Sequence, residues 1–491
     1  MYRKKNKDQL EFENFYHPFG GNLESNNRWV QLSKIISWDE LENQYAKLFS
    51  EDQGAPAKPF RMALGALIIK EKLSITDEET VAQLKENPYL QYFIGLTEYR
   101  YKAPFDPTMM VHFRKRLTKD ILGVINEKIV MAGIDINKND SKSEDDKGSS
   151  DDSKTTQPCG DTGETEAQNS GTMMLDASVA PADISYPTDL NLLNEAREKL
   201  EEIIDVVYDA YREEMDKPRT YRNTARRDYL RVAKKRKNKP KSIRKAIRKQ
   251  LQYIKRDLGH IEKINSQFHC LHLLSRIEYR NLLVIQELYR QQKEMYDNRS
   301  HHVDDRIVSI SQPHIRPIVR GKASASVEFG AKIVVSNIEG YAILEHCSWD
   351  PFNESTMMQD QVEEYRTRFG FYPEVLLVDK LYRTRDNIMW CRDKNIRISG
   401  PRLGRPSEDK NKYKKQEQED SGKRNGIEGI FGTCKRKYSL GRIMSKLDIT
   451  SESTIALILL VMNLDKRIRD IFIPILMKYL SWKNWSFCLE F

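Results

Sequence analysis

The chain has 491 residues, more than one ordinary domain holds, so its length predicts two or three cores joined by linkers. Its 81 Lys and Arg residues outnumber its 72 Asp and Glu residues, which gives a net charge of +9. The six cysteines lack the close spacing of a disulfide scaffold, which excludes a small secreted protein of that class and indicates a reducing compartment. The longest apolar run, Ile455 to Met462, is far shorter than the roughly 20 residues of a membrane span, so we expect a cytoplasmic protein without a membrane partner.

The amino-terminal part of the chain has the pattern of a helical domain. Residues 1–136 predict an all-α unit of its own, because their apolar residues recur at helical spacing. Thr76 and Glu79 form the pattern of a capping box, and Thr108 is positioned to cap a later helix. The composition then changes abruptly to Ser, Asp, Thr, Gly and Lys, which predicts an acidic disordered linker over residues 137–171.

The remainder of the chain, apart from a long helical insertion, alternates between strands and helices. Residues 172–189 hold a first strand, Thr172 to Asp176, and a loop rich in Pro and Asp, while residues 306–450 hold the other strands and their helices. The later elements are predicted as a hairpin of Ser326 to Val335 and Tyr341 to Cys347, a helix from Ser355 to Arg368, a strand from Glu374 to Asp379, a helix from Thr384 to Lys394 and a strand from Asn395 to Ser399. Pro406 to Arg424 is predicted as a charged loop, and residues 451–491 as C-terminal helices. This order predicts an α/β fold with a mixed sheet and helices on both faces.

Residues 190–305 are predicted to be a basic helical insertion in this core. Within it, residues 217–256 contain eighteen Lys or Arg and a single acid, Asp228. Most charge runs are simply solvated helix faces, but so dense a positive charge favours binding to a polyanion such as the DNA backbone. The candidate contacts are Arg226, Arg227, Arg231, Lys234, Lys235 and Arg236.

Two aspartates end apolar strands of the predicted core. Asp176 and Asp379 both lie where ligands bind in such sheets, at the carboxyl edge of the strands. Two neighbouring carboxylates repel each other unless a cation lies between them, and a pair of divalent ions would also clamp the reacting oxygens of a phosphodiester. Mg²⁺ fits best, because it is a hard ion held by carboxylates, waters and phosphate oxygens. Taken singly, an Asp at a strand end is more often a turn residue, and the loop acids Asp183 and Asp189 remain weaker alternatives.

A third acid is expected from a helix packed beside these strand ends. Arg424, Glu428 and Lys435 share one face of such a helix, because they are four and then seven residues apart. The two cations suit phosphate oxygens and the carboxylate suits a metal ion. Three glycines weaken the helix prediction, and close approach of DNA to the backbone would account for them: Gly426, Gly429 and Gly432.

Several of these segments together resemble the DDE transposases of bacterial insertion sequences. The segments are Leu175 to Ser178, Ile184 to Asp189, Val378 to Lys380 with Tyr382, and Arg424 to Gly429 continuing through Phe431 and Gly432 to Lys435 and Arg436. The resemblance implies a ribonuclease-H-like catalytic core in which Asp176, Asp379 and Glu428 bind Mg²⁺, with Mn²⁺ able to substitute. It also implies that Lys380, Arg424 and Lys435 neutralise phosphate charge.

The same resemblance implies the partners and the reaction. The partners would be double-stranded DNA, as terminal inverted repeats and target, and a second copy of the chain in a homodimer associated with the bacterial nucleoid. The helical N-terminal domain resembles that of the family and would serve DNA binding or dimerisation. Leu381 stands where the family often has Gly, and Ser421 where a related signature has Tyr. Two alternatives therefore stay open: an inactive relative that binds DNA, and a nuclease of the same fold without strand transfer.

Overall fold

The computed structural model describes residues 15–16, 22–49, 56–145, 168–319, 327–401 and 410–487, without the side chains of residues 44, 135–145, 410–413 and 472–487. The chain divides into two compact units. The first comprises Met1–Ala180, Ile333–Cys347 and Phe352–Phe491, and the second comprises Pro181–Lys332 and Ser348–Pro351. Among the residues searched, no helix is both long enough and apolar enough to cross a bilayer.

Helices dominate both units. The described helices are α1 (Arg28–Ile35), α2 (Trp38–Ala46), α3 (Phe60–Leu73), α4 (Asp77–Glu86), α5 (Pro88–Phe93), α6 (Met109–Arg116), α7 (Lys119–Asp145), α8 (Asp189–Tyr211), α9 (Arg222–Ala233), α10 (Pro240–Phe268), α11 (Arg276–Asn298), α12 (Met358–Phe369), α13 (Arg385–Asp393), α14 (Lys410–Lys437) and α15 (Asp448–Phe487). Three short 3₁₀ turns accompany them at Cys270–Leu273, Glu354–Met357 and Lys380–Tyr382. The strands are β1 (Thr172–Pro181), β2 (Arg316–Val319), β3 (Val327–Ile338), β4 (Tyr341–Ser348), β5 (Val375–Leu377) and β6 (Arg397–Ile398).

The six strands form one mixed sheet, as predicted. Their order is β2-β3-β1-β5-β6, and β4 pairs with β3. The pairs β1–β5 and β5–β6 are parallel, whereas β2 and β3 are antiparallel. The predicted hairpin turn between β3 and β4 is present, with Glu339 and Gly340 both at positive φ (51° and 85°), where glycine is favoured.

Two strands differ from their predicted extent. β1 does not end at Asp176 but continues to Pro181, and residues 177–180 are all buried. The small and polar residues after Asp176 resemble a strand end, yet they fit between neighbouring strands because they occupy little volume. β5 ends at Leu377, which is two residues before Asp379, and β2 had no predicted counterpart.

The N-terminal helices begin largely where the sequence places them. The Thr76 hydroxyl accepts a hydrogen bond from the Glu79 N–H at 3.1 Å, which caps α4 as predicted. Thr108 precedes α6, but its side chain does not cap the helix; instead Asp106 accepts hydrogen bonds from the backbone and hydroxyl of Thr108. The prediction of a Thr108 cap is therefore wrong, because the preceding aspartate binds that hydroxyl.

The N-terminal helices do not form a separate unit, contrary to the prediction. The buried apolar run of α15 packs with α3, α6 and α7. Asn463 on α15 donates to Asn126 on α7 at 2.8 Å, and it also binds both backbone groups of Ala342 on β4 at 2.9 and 2.7 Å. These buried amides join α7, α15 and β4, because unpaired polar groups there would be costly. A contact between residues so distant in sequence was not visible in the local pattern.

Helix α14 replaces most of the predicted charged loop. Residues 402–409 lie outside the described ranges, but the helix begins at Lys410. Between residues 410 and 421 the chain has neither Gly nor Pro, and its Lys, Gln and Glu residues are good helix formers. Helix α7 similarly extends to Asp145, into the segment predicted as a linker, whose residues 146–167 are outside the described ranges.

The second unit contains the basic helices. Its apolar core is formed by the inner faces of α8, α10 and α11, among them Leu200, Ile254 and Ile285. Asp228, the single acid of the basic stretch, joins α9 to α10: it accepts from Arg231 at 3.0 Å, from Lys249 at 2.8 Å and from Tyr253 at 3.1 Å. Much of the charge on α9 and α10 therefore stays available at the surface.

Candidate active site

Neighbouring strands of the first unit bring Asp176 and Asp379 together. In the parallel β1–β5 pair, Thr172 faces Val375 and Met174 faces Leu377. Continued by two residues, this register brings Asp176 opposite Asp379. Asp176 lies within β1, whereas Asp379 follows β5 and caps the 3₁₀ turn Lys380–Tyr382, accepting the Lys380 N–H at 2.7 Å.

The Asp176 carboxyl lies in an environment that disfavours its charge. Burial raises its pKa to about 6, and the nearby carboxylates of Asp379 and Glu354 act in the same direction. The Ala177 N–H, which donates to Asp176 at 2.8 Å, and the guanidinium of Arg424 oppose this shift. Negative charge therefore exceeds positive charge around Asp176.

Helix α14 contributes Arg424 and Glu428 to the same place. The Arg424 Nη1 lies 3.2 Å from Asp379 Oδ1, and its Nη2 lies 3.9 Å from Glu428 Oε1. The guanidinium thus lies between the second and third predicted acids. The Glu428 side chain is 61% exposed and that of Asp379 is 44% exposed, so solvent or a ligand can reach both.

Contacts on the opposite side fix the register of α14. Asp420 accepts from Arg397 on β6 with two hydrogen bonds of 2.6 and 3.0 Å. Ile427 and Cys434 on the same helix are fully buried. Gly426 lies near the sheet, since a Cβ there would be 3.5 Å from Asn337 Nδ2 and 3.7 Å from Met174 Sδ. The helix therefore rests on the sheet with Arg424 and Glu428 beside the strand ends.

Comparison with known proteins agrees with this geometry. Residues 376–465 match a family model described as a transposase DDE domain, and residues 18–116 match a transposase domain of the DUF772 family. The chain is a DDE transposase. The DDE match begins on β5 and contains Asp379, Arg424 and Glu428, whereas Asp176 lies outside it.

Similarity beyond these domains is more distant. The transposase is 26% identical over 171 residues to an uncharacterized protein, ORF8 of the nfe locus, from Rhizobium meliloti. The alignment covers 35% of this chain and 70% of that protein. No solved structure matches the transposase. The DDE family match, together with the mixed sheet, confirms the expected ribonuclease-H-like core.

DDE transposases generally use divalent metal ions, and the donors in this transposase suit such ions. All three predicted acids offer carboxylate oxygens, which hard cations prefer. The fully buried Tyr382 hydroxyl, close to Asp176 and Asp379, has no hydrogen-bond partner among the described residues, so polar space adjoins the acids. Among those residues, however, no three Asp, Glu, His or Cys side chains are grouped closely enough to hold an ion directly.

The remaining predicted phosphate contacts lie nearby along the chain. Lys380 is exposed directly after Asp379, and Lys435 lies about two turns beyond Glu428 on α14. Leu381, 67% exposed in the 3₁₀ turn, does not have positive φ, so the absence of glycine there imposes no backbone strain. Ser421 is exposed on α14. In the second unit the six candidate DNA contacts are all exposed: Arg226, Arg227, Arg231, Lys234, Lys235 and Arg236.

Two residues near Asp176 had no role in the sequence prediction. Glu354 opens the 3₁₀ turn before α12, and Tyr382 closes the turn after Asp379. An acid at the start of a helix is so common that Glu354 gave no separate signal. The loop acid Asp189 instead pairs with Arg306 at 2.7 Å and Gln292 at 2.9 Å, which accounts for its charge without a metal ion.

Proposed function

We propose that this transposase hydrolyses the phosphodiester at the ends of a mobile DNA element and transfers the freed 3′-hydroxyl into target DNA. The observation that carries the proposal is the position of Arg424, whose guanidinium lies between Asp379 and Glu428 while Asp379 adjoins Asp176. These are the three acids that the sequence pattern predicts as catalytic. The two transposase-domain matches support the same function.

In this proposal Asp176, Asp379 and Glu428 hold Mg²⁺ ions, for which Mn²⁺ can substitute. When bound, such ions lower the pKa of water and neutralise charge on a phosphodiester. The chain itself supplies a partly buried Asp176, an arginine that orients two carboxylates, and Lys380 and Lys435 as further positive charges for phosphate oxygens. The unstrained backbone at Leu381 favours an active enzyme over an inactive relative.

The exposed cations of α9 and the following loop are proposed to bind the DNA backbone. Replacing Arg226, Arg227 and Lys234 together by Gln is expected to weaken duplex binding by at least about tenfold and to reduce the salt dependence by about 0.9 per lost contact. Fluorescence anisotropy over a range of salt concentrations measures both. The matched control is Lys293→Gln on α11, whose ammonium is already paired with Asp297 at 2.6 Å. Equal losses in both variants would contradict a specific role for the α9 surface.

A joining assay tests the proposed reaction directly. Short inverted repeats in the DNA flanking the gene supply an end duplex, which is incubated with the protein, Mg²⁺ and a supercoiled plasmid. We expect Mg²⁺-dependent cutting at the repeat end, followed by linking of its 3′ end to the plasmid. Cutting without linking would show a nuclease without strand transfer, and binding without cutting would show an inactive relative.

The proposed active complex is a homodimer on two element ends, acting on nucleoid DNA in the bacterial cytoplasm. Two ends must be held together for both to join one target, and closed two-fold dimers are the commonest way to present two identical sites. The mass of the complex with the end duplex, measured by analytical ultracentrifugation, tests this. One chain bound per duplex at all concentrations would contradict it.

A further inference from the structure

Two 3₁₀ turns of the first unit are fastened together next to the candidate active site. Asn387, which is 4% exposed at the start of α13, donates at 2.8 Å to the carbonyl of Ser355 and at 2.8 Å to the carbonyl of Tyr382. Its own oxygen accepts from Gln359 at 3.1 Å. A single satisfied amide therefore holds the turn that carries Glu354 against the turn that follows Asp379.

Glu354 is consequently close to the buried acid of the site. Its carboxylate contributes to the raised pKa of Asp176, along with burial and the Asp379 carboxylate. For Tyr382, burial raises the pKa most, and Glu354 contributes more than either Asp176 or Asp379. The Tyr382 ring thus has three carboxylates around its hydroxyl, and the charge of Glu354 acts most strongly on it.

The Tyr382 hydroxyl itself points to a missing ligand. The side chain is fully buried, and its oxygen has no hydrogen-bond partner in the described ranges. A phenol beside three carboxylates would donate to whichever one it could reach. Because it reaches none, the carboxylates are separated from it by space for a polar ligand, and leaving the hydroxyl unbonded costs about 1–3 kcal/mol.

We propose that Glu354 is a fourth acid of the metal site, which holds a hydrated divalent cation together with Asp176 through the waters of that cation, while Tyr382 binds the same water shell. This inference rests on the proposed function, since it takes Asp176 to be a metal ligand. A hydrated ion fits the spacing, because Mg²⁺ loses its waters reluctantly and keeps several of them in proteins. Acids outside the direct coordination shell orient bound waters and strengthen the site.

Metal binding by the full-length chain tests this inference without reference to DNA cleavage. Titration calorimetry with MnCl₂ alone is expected to show Glu354→Gln binding about tenfold more weakly than the unsubstituted protein. Asp176→Asn is expected to abolish the same binding, and Tyr382→Phe to weaken it by about threefold, a smaller effect because one water contact is lost. Asp360→Asn is the matched control, an exposed acid at the start of α12, and it should bind as the unsubstituted protein does.

Thermal unfolding in EDTA separates metal binding from folding. Without metal, Glu354→Gln is expected to be at least as stable as the unsubstituted protein, because one repelling carboxylate is gone. Tyr382→Phe is expected to be more stable, because an unbonded hydroxyl is removed. Unchanged Mn²⁺ affinity in Glu354→Gln, with binding lost in Asp176→Asn, would overturn the role of Glu354 and leave the three-acid site intact. Unchanged affinity in Asp176→Asn, or no Mn²⁺ binding by the unsubstituted protein, would contradict both proposals.

Discussion

Replacing Asp176 by Asn is expected to lower Mg²⁺-dependent cleavage of the element-end duplex by at least about a thousandfold, because a central oxygen ligand is lost. Duplex affinity should remain within about twofold, since phosphate contacts elsewhere supply most of it. Gel-based cleavage and anisotropy measure the two quantities. Asp183→Asn is the matched control, an aspartate in the loop after β1, and it should cleave normally. Full cleavage by the Asp176 variant would remove this residue from the catalytic set.

The same substitution has a predicted effect on stability that depends on pH. The folded protein holds the Asp176 proton up to a pH of about 6, whereas the unfolded chain releases it near its ordinary pKa of 3.8. Stability of the metal-free protein therefore falls as the pH rises from about 4 to about 6. At pH 8 in EDTA, Asp176→Asn should be more stable than the unsubstituted protein by about 1–3 kcal/mol, and at pH 4 the difference should vanish. Urea unfolding at both pH values measures it, and a less stable variant at pH 8 would contradict the burial of this charge.

Replacing Arg424 by Ala is expected to lower the cleavage rate by about a hundredfold, comparable with the loss of one preorganised donor in other active sites. Its guanidinium is the group that contacts both Asp379 and Glu428, at 3.2 and 3.9 Å. Without it the two carboxylates lose their shared partner and the phosphate loses a nearby positive charge. Lysine should recover only part of the activity, because a single ammonium cannot hold both carboxylates as a planar fork does.

Lys423 supplies the control for the Arg424 variants. It is the preceding residue of α14 and is exposed, so Lys423→Ala removes one positive charge from the same helix. We expect its cleavage rate to stay within about twofold of the unsubstituted protein, because surface charges contribute little. Equal rates in the Arg424→Ala and Lys423→Ala variants would show that Arg424 does not organise the acids.

The sequence predicted the pairing of the two aspartates for a sound physical reason. Apolar runs before Asp176 and Asp379 indicate buried parallel strands, and such strands end at one edge of a sheet. The observed register brings the two residues opposite each other if it is continued. The helical spacing of Arg424 and Glu428 likewise predicted a shared face, and the contact of Arg424 with both Asp379 and Glu428 agrees with it.

Features that depend on long-range packing were not predictable in the same way. The amide of Asn387, which fastens the Glu354 turn to the Tyr382 turn, has no signature in the local pattern. The packing of α15 onto the N-terminal helices depends on contacts across more than three hundred residues, such as Asn126 with Asn463. The extent of α14 was missed for a different reason, since a run of Lys and Glu residues is typical of both charged loops and exposed helices.

The central claim is that acids from β1, from the turn after β5 and from α14 form one metal site. Iron-mediated hydroxyl-radical cleavage of the polypeptide measures this directly, because Fe²⁺ occupies carboxylate sites and breaks only the backbone close to it. We predict fragments whose new ends map near residues 176, 379 and 428, and suppression of all three cuts by excess Mg²⁺. Cleavage that omits any one of the three segments, or that Mg²⁺ fails to suppress, would contradict a shared site.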